Sequence, residues 1–270
     1  WNREPIRETL VSTHEKACIR AFTPQDMPRV ASFLRQINRV DPRVDGPEDE
    51  AFSAFTRLDS NQNGQWFAIA ECGEEIVAVL LSGRYRVEDR ALPVCAFRVF
   101  VRPEDRGRGL GVDLLTYLEQ QHADQDYVFR TVISGDWPAG RGLLERSGFK
   151  RSQEVLILRR TALPPEMPVA PKGFRIRDAD LARDGEFIAN LYNVANRRSF
   201  GFAPVSANEI KASMGAPGGR LLVLESSQSE LVGSVQTLPY FNGVGVLHTI
   251  QVSPAHHRKG LGRFLLLTAI

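Results

Sequence analysis

Apolar residues along this chain recur at two spacings, and the order of those spacings occurs twice. The alternating stretch Cys18-Ile-Arg-Ala-Phe-Thr leads through a polar start into Met27, Val30, Ala31, Phe33, Leu34 and Ile37, which fall at helical intervals. Phe174-Arg-Ile-Arg-Asp-Ala leads in the same way into Phe187, Ile188, Leu191, Tyr192 and Val194. A second helical segment follows in each copy, around 48–58 and more loosely 207–214. Then come paired strands. Trp66-Phe-Ala-Ile-Ala-Glu and Ile76-Val-Ala-Val-Leu-Leu flank a turn at Gly73, and Arg220-Leu-Leu-Val-Leu-Glu and Leu231-Val-Gly-Ser-Val-Gln flank a polar turn at 226–230. A further strand is predicted at Val94–Val101 and at Val246–Val252, each stopped by a proline, Pro103 or Pro254.

The copies agree best just past that proline. Arg106-Gly-Arg-Gly-Leu-Gly aligns without a gap on His257-Arg-Lys-Gly-Leu-Gly, a shift of 257 − 106 = 151 positions. Leu110, Leu114 and Leu115 then fall on Leu261, Leu265 and Leu266, so a helix begins inside each glycine run. The first copy goes on through a predicted strand at Tyr127–Ile133, a helix at Ala139–Ser147 and a strand-like stretch at Glu154–Arg159. The proline-rich stretch Leu163-Pro-Pro-Glu-Met-Pro-Val-Ala-Pro-Lys-Gly suits neither a helix nor a central strand and is expected to be an extended linker. The predicted organisation is a first domain over 1–161, a linker over 162–173 and a second domain over 174–270. That second domain stops after its glycine-started helix, so about 40 residues are expected to follow in a full repeat. Strand and helix order together predict an α/β (α+β) class, a mixed and mostly antiparallel sheet flanked by helices, present once complete and once in part.

Composition narrows the setting. At 270 residues and 43% hydrophobic content the chain can bury two ordinary cores. A net charge of +2 gives no general attraction to nucleic acid or anionic lipid, and neither is an expected partner. No apolar run approaches the roughly 18 residues that span a bilayer, and no basic-then-apolar leader follows Trp1. Cys18, Cys72 and Cys95 form an odd set without C-x-x-C spacing, which suits a reduced, cytoplasmic protein. His256-His257 has no third ligand at sensible spacing, so no metal is expected.

A strand, a glycine-bearing turn and a helix start make an anion site. The first helical N–H groups have no internal acceptor, the macrodipole adds partial positive charge, and glycines let several amides converge. The spacing excludes the dinucleotide fingerprint, because Val112 or Leu114 stands where it needs a small residue. Neither copy has the G-K-[ST] of a P-loop. What remains is R-x-x-G-x-G preceded by Val-x-Pro. Here the chain resembles the GNAT superfamily of N-acetyltransferases, on Val101-Arg-Pro-Glu-Asp-Arg106-Gly-Arg-Gly109-Leu-Gly111 and Val252-Ser-Pro-Ala-His-His257-Arg-Lys-Gly260-Leu-Gly262. Leu143-Leu-Glu-Arg-Ser-Gly-Phe149 resembles that superfamily's late Gly-Phe segment, and two units in one chain resemble its tandem members.

The resemblance implies acetyl-CoA as cofactor. Its diphosphate would meet Arg106, Gly107, Arg108, Gly109, Leu110 and Gly111, or His257, Arg258, Lys259, Gly260, Leu261 and Gly262. The strand before each turn, at Val99 and Val101 or Ile250 and Val252, would part from its neighbour and bond the pantetheine. The implied reaction is acetyl transfer to a primary amine of a small molecule or peptide by direct attack in a ternary complex. A catalytically silent CoA-binding module is the alternative. The unfinished second sheet leaves an edge suited to a homodimer or to further chain.

The first copy departs from the family's catalytic pattern. Leu144 stands where a tyrosine often protonates the leaving thiolate, Trp137 where an asparagine is frequent, and Cys95 where some members keep a glutamate. The remaining catalytic candidates are Cys95 as a nucleophile or a packed thiol, Ser134 as a donor to the thioester or leaving sulfur, and His248 as a base, a substrate ligand or a hydrogen-bonded, half-buried histidine. The segments 38–50 and 196–204, the latter with Phe200 and Phe202, are expected to wall an acceptor site or to pack on the core.

Overall fold

The computed structural model describes residues 10–11, 17–41, 43–44, 46–47, 49–87, 91–123, 126–154, 158, 160, 168–199, 202–213, 218–240 and 244–270. The chain divides into two compact units, Trp1–Ser152 and Gln153–Ile270.

The first unit runs β1 (Leu10–Val11), β2 (Cys18–Ala21), α1 (Met27–Val40), α2 (Asp49–Thr56), β3 (Ala68–Cys72), β4 (Glu75–Tyr85), β5 (Val94–Val101), α3 (Leu110–Gln121), β6 (Val128–Arg130) and α4 (Pro138–Arg146). Its sheet keeps sequence order, β1 to β6. Every pairing is antiparallel except β5 with β6. Successive strand residues face opposite sides, and the core follows that alternation. Ile69, Val79, Leu81 and Phe100 face Val30, Phe33, Leu34 and Ile37 of α1 and Phe52 of α2. Ala68, Ala70, Ala78, Leu80, Cys95 and Phe97 face Leu110, Leu114, Leu115 and Leu118 of α3. Helices on both faces explain why β4 reads as an unbroken apolar run rather than an alternating one.

The strand predicted at Tyr127–Ile133 is shorter in the structure. Val94–Ala96 of β5 offers a ladder only to Val128–Arg130, and beyond that the chain diverges into the Gly135 turn and Pro138. β5 itself continues to Val101 with β4 alone beside it. Within the expected strand at Glu154–Arg159, positions 155–157 and 159 lie outside the described residues, as do 161–167 of the linker; 168–171 belong to no helix or strand.

The second unit runs β7 (Phe174–Asp178), α5 (Leu181–Asn196), α6 (Ala207–Ser213), β8 (Arg220–Ser226), β9 (Leu231–Tyr240), β10 (Val244–Val252) and α7 (Leu261–Ala269). All its strands pair antiparallel in the order β10-β9-β8-β7. Leu222, Leu224, Val232 and Val235 pack with Leu261, Phe264 and Leu265 of α7. Leu221 and Val223 pack with Ile188 and Ala189 of α5 and Ile210 of α6. Among the described residues no helix is long and apolar enough to cross a membrane.

Each unit has its own ionic corner, built on buried or half-buried carboxylates. Arg20 on β2 grips Asp26 at the entry to α1 with two bonds of 2.7 Å and reaches Glu71 on β3 at 2.7 Å. Arg177 on β7 grips Asp184 in the first turn of α5 at 2.6 and 3.1 Å and reaches Glu225 on β8 at 2.6 Å. A forked guanidinium can bond two carboxylates on different elements with fixed geometry, so each pin fixes how the first strand hands over to the first helix. The hydrogen bonds from Arg20 hold the Asp26 carboxyl down to about 2, and those from Arg177 hold Asp184 well below the usual carboxylate range. A carboxylate with a depressed folded pKa stabilises the fold above its unfolded value, about 3.9, and loses that contribution as pH falls through the folded one. Thermal melts should therefore hold steady between pH 7 and about 5 and fall between about pH 4 and 2. Asp26→Asn should flatten the fall while costing about 3 kcal/mol at neutral pH, as read by circular dichroism.

Candidate active site

The same backbone path joins strand to helix in both units. β5 ends at Val101, a 3-10 turn spans Pro103–Asp105, and α3 begins after Gly109; β10 ends at Val252, a 3-10 turn spans Pro254–His256, and α7 begins after Gly260. The capping glycines lie in the left-handed region, Gly109 at φ 88° and Gly260 at φ 77°. Two residues earlier the turn again needs positive φ: Gly107 takes 77° without cost, whereas Arg258 takes 64° against its Cβ. No side chain caps either helix start. A Cβ placed on Gly107 or Gly260 would meet no described atom within 4 Å, so both turns present open backbone at the helix start, where the first amides have no acceptor within the helix. That is the surface a diphosphate requires. Leu110 and Leu261 send their side chains into the core and offer the turn only their amides.

Side chains around the turn differ from expectation. Arg106, expected to meet the diphosphate, turns its side chain back: Nε donates to the Val101 carbonyl at 3.0 Å and Nη1 to Asp41 at 2.5 Å, and its guanidinium lies 5.3 Å from the Trp137 ring. His257 sits likewise, its Nε2 2.9 Å from the Val252 carbonyl. The first residue of the motif thus ties strand end to turn in both copies. Arg43 and Arg106 together hold the Asp41 carboxyl well below its ordinary range. Arg108 reaches Asp105 at 3.1 Å, while Arg258 and Lys259 are exposed. Gly111, expected as a ligand contact, also serves packing, since a Cβ there would lie 2.7 Å from Leu143 of α4. Gly262 has no such crowding; the nearest atom to its Cβ position is Val252 Cγ2 at 4.0 Å. Val99 and Val101 are half-buried against the α3 core, Val252 is half-buried, and Ile250 is exposed. Beyond Ala96, β5 has left its β6 ladder, so positions 97–101 carry the parted edge that pantetheine binding calls for.

Of the three catalytic candidates, the structure removes one. Cys95 is fully buried, and burial pushes its thiol up to about 12. Its neighbour His122 lies with Nε2 3.4 Å from the sulfur, but Arg84 Nε donates to His122 Nδ1 at 2.6 Å. A guanidinium has no lone pair to offer, so Nδ1 accepts and the ring proton sits on Nε2, pointing at sulfur. The imidazole therefore cannot take the thiol proton, and Cys95 is a packing residue. Arg84 also stacks 3.4 Å from the Trp66 ring and 5.0 Å from that of Tyr127, which makes Tyr127 part of the same structural cluster. Ser134 lies beyond the end of β6 and donates to Asp136. His248 stands exposed at a β-bulge: pairing steps from Leu247↔Thr237 to Thr249↔Gln236 and leaves it as the extra residue. Leu144 packs on the α3-side core.

Sequence reasoning missed one device present in both copies. Asn38 near the end of α1 donates to the Gly46 carbonyl and accepts from its N–H, both at 2.8 Å. Asn193 near the end of α5 does the same to Val205, at 2.9 and 2.8 Å. Each carboxamide brackets the loop expected to wall the acceptor. The signal was an asparagine on the last turns of each first helix. Phe202 in the second loop is buried beside Tyr192, and Phe200 lies outside the described residues.

In both units a strand runs into a glycine-capped, open helix start, on a sheet that is mostly antiparallel in the first unit and wholly so in the second. The chain belongs to the acetyltransferase (GNAT) family, whose model matches residues 31–149 and 186–270. Relatives include the mycothiol acetyltransferases of Actinosynnema mirum, 27% identical over 63% of this chain and 59% of that protein, and of Amycolatopsis mediterranei, 30% identical over 64% and 60%. The chain thus spans about three-fifths of the length of these relatives. Among solved structures, a GCN5-related N-acetyltransferase from Sphaerobacter thermophilus matches with a TM-score of 0.62 at 18% identity, over 95% of this chain and 82% of that one. A tandem GNAT protein from the clavulanic acid biosynthesis pathway matches with 0.65 at 13%, over 94% and 84%. At these identities the two structures speak for the fold.

Two outcomes follow from the site geometry. In the native chain a thiol reagent should label Cys18 rapidly and Cys95 only on unfolding, as peptide mass spectrometry would show. Arg258→Gly should raise stability by about 1 kcal/mol by relieving the left-handed strain, read from the denaturation midpoint.

Proposed function

We propose that this chain is an acetyl-CoA-dependent N-acetyltransferase that moves an acetyl group to a primary amine by direct attack within a ternary complex. The observation that carries the reading is the doubled helix start: two turns of different sequence hold one backbone path, even at the strain of Arg258, and leave their amides open. Acetyl-CoA, when bound, supplies an activated acyl group and a thiolate leaving group. The chain's part is to hold and to orient. Amides from Gly107 to Gly111, and from Arg258 to Gly262, would take the diphosphate. Arg106 and His257 keep each strand end in register with its turn, and the parted edge of β5 would align the thioester beside the amine. Ser134 and His248 remain the candidates for proton transfer. The relatives' name puts mycothiol-type small molecules first among acceptors to test. The three cysteines are free, which supports a reducing, cytoplasmic setting.

A binding-only role for the first unit is the second reading, supported by Leu144 in the packed core and Cys95 out of reach of a base. Calorimetric titration with acetyl-CoA, combined with thiol release across an amine panel, separates the two. Gly109→Glu should weaken binding at the first turn, and Gly260→Glu at the second, each by at least about tenfold, or 1.4 kcal/mol, because a carboxylate enters the anion cradle. Wild-type affinity in both variants would overturn the cradle assignment. Binding without thiol release would favour the silent module.

A further inference from the structure

The internal duplication allows each sheet position in one unit to be compared with its counterpart in the other, and one patch differs in kind. In the first unit Val79 pairs with Phe100 and Leu81 with Arg98 across β4 and β5. In the second, Ser234 pairs with Gln251 and Gln236 with Thr249 across β9 and β10. Phe100 and Gln251 lie 251 − 100 = 151 positions apart, the same shift that aligns the glycine turns. The patch sits on the sheet face covered by the first helices. Directly opposite residues share a face, and Ser234 also pairs with Val223, which packs on Ile188 and Ala189 of α5.

Val79 and Phe100 are 0% and 3% exposed and fill the first unit's core beneath α1. The loop bracketed by Asn38 closes over them, since a Cβ on Gly46 would lie 3.0 Å from Leu34 and 3.2 Å from Phe100. The fold therefore has no need of polar groups at these positions. Yet Ser234 and Gln251 are 1% and 4% exposed, and Ser234 Oγ and Gln251 Oε1 are buried with no hydrogen-bond partner among the described residues. Two adjacent buried oxygens left unpaired are costly, and the sister unit shows the apolar solution that would remove the cost. Both lie on the face of β9–β10 that α5 covers.

We propose that Ser234 and Gln251 are specificity-determining residues of the second unit, forming a polar floor for an amine acceptor that also carries hydroxyl or amide groups. The proposal rests on the acetyl-transfer reading and assigns the acceptor's polar part to this unit. A serine hydroxyl donates and accepts, and a carboxamide oxygen accepts, so a hydroxylated ligand pairs with both. An apolar amine leaves both unpaired and is rejected for that reason.

The test compares glucosamine with cyclohexylamine, ring amines of similar size that differ in hydroxyl groups, as acceptors for the full chain. The wild type is expected to favour glucosamine by more than about tenfold in kcat/KM. Ser234→Ala with Gln251→Leu should erase that preference through a raised KM for glucosamine, with unweakened acetyl-CoA binding and an unlowered Tm. An unchanged preference in the double variant, or a loss of several degrees in Tm with selectivity intact, overturns the proposal and makes the pair structural. Gln251→Met, nearly isosteric, serves if the double variant does not fold, with the same expected loss. A wild type that acetylates no amine counts against the acetyl-transfer reading itself. Calorimetry with glucosamine then decides the floor: binding lost in the variant supports it, and absent or equal binding overturns it.

Discussion

Each unit depends on one junction, where a β-strand runs through a left-handed turn into a helix whose first amides face open space. Two constraints meet there. The helix begins at once, so that its leucines reach the sheet, and its first amides are left without a side-chain cap among the described residues. A side-chain cap would stabilise the helix and close the site. Neither unit uses one, and both place glycine at the cap. The tie from Arg106 or His257 to the last strand carbonyl sets the distance between strand end and helix start without occupying the amides.

The remaining machinery braces this junction. The ionic corner made by Arg20 or Arg177 fixes the first helix on its strand, and the Asn38 or Asn193 bracket fixes the loop that leaves that helix. In the first unit Asp41, just past α1, reaches Arg106 and so joins the loop to the turn. The corner and the bracket recur at unequal sequence shifts in the two units, while the turn recurs at a constant one. Loop lengths between the pinned points have drifted, and the pinned contacts themselves have persisted.

The units differ most on the face beneath the first helices. An apolar floor under a tightly bracketed loop leaves the first unit little to offer an acceptor. The polar residues at the same register in the second unit give it chemistry that the first lacks. The two halves thus agree at the glycine turn and diverge at the floor.

The sequence alone determined the repeat, the order of strands and helices, the glycine turns and the family. These rest on local rules: apolar period, proline stops, and glycine where positive φ is required. It also marked Leu144 as a departure from the family pattern. It overran the strand at Val128–Arg130, because an apolar alternation says nothing of where its partner strand turns away. Only the tertiary structure decided that Arg106 faces the strand rather than the anion, that Gly111 makes room for Leu143, that Cys95 meets a histidine already committed by Arg84, and that Ser234 lies opposite Gln251. Each of these depends on which atoms a side chain meets across the fold. Spacing along the chain carries no information about such encounters, because sheet register and the approach of helices are set by the packing of the whole core.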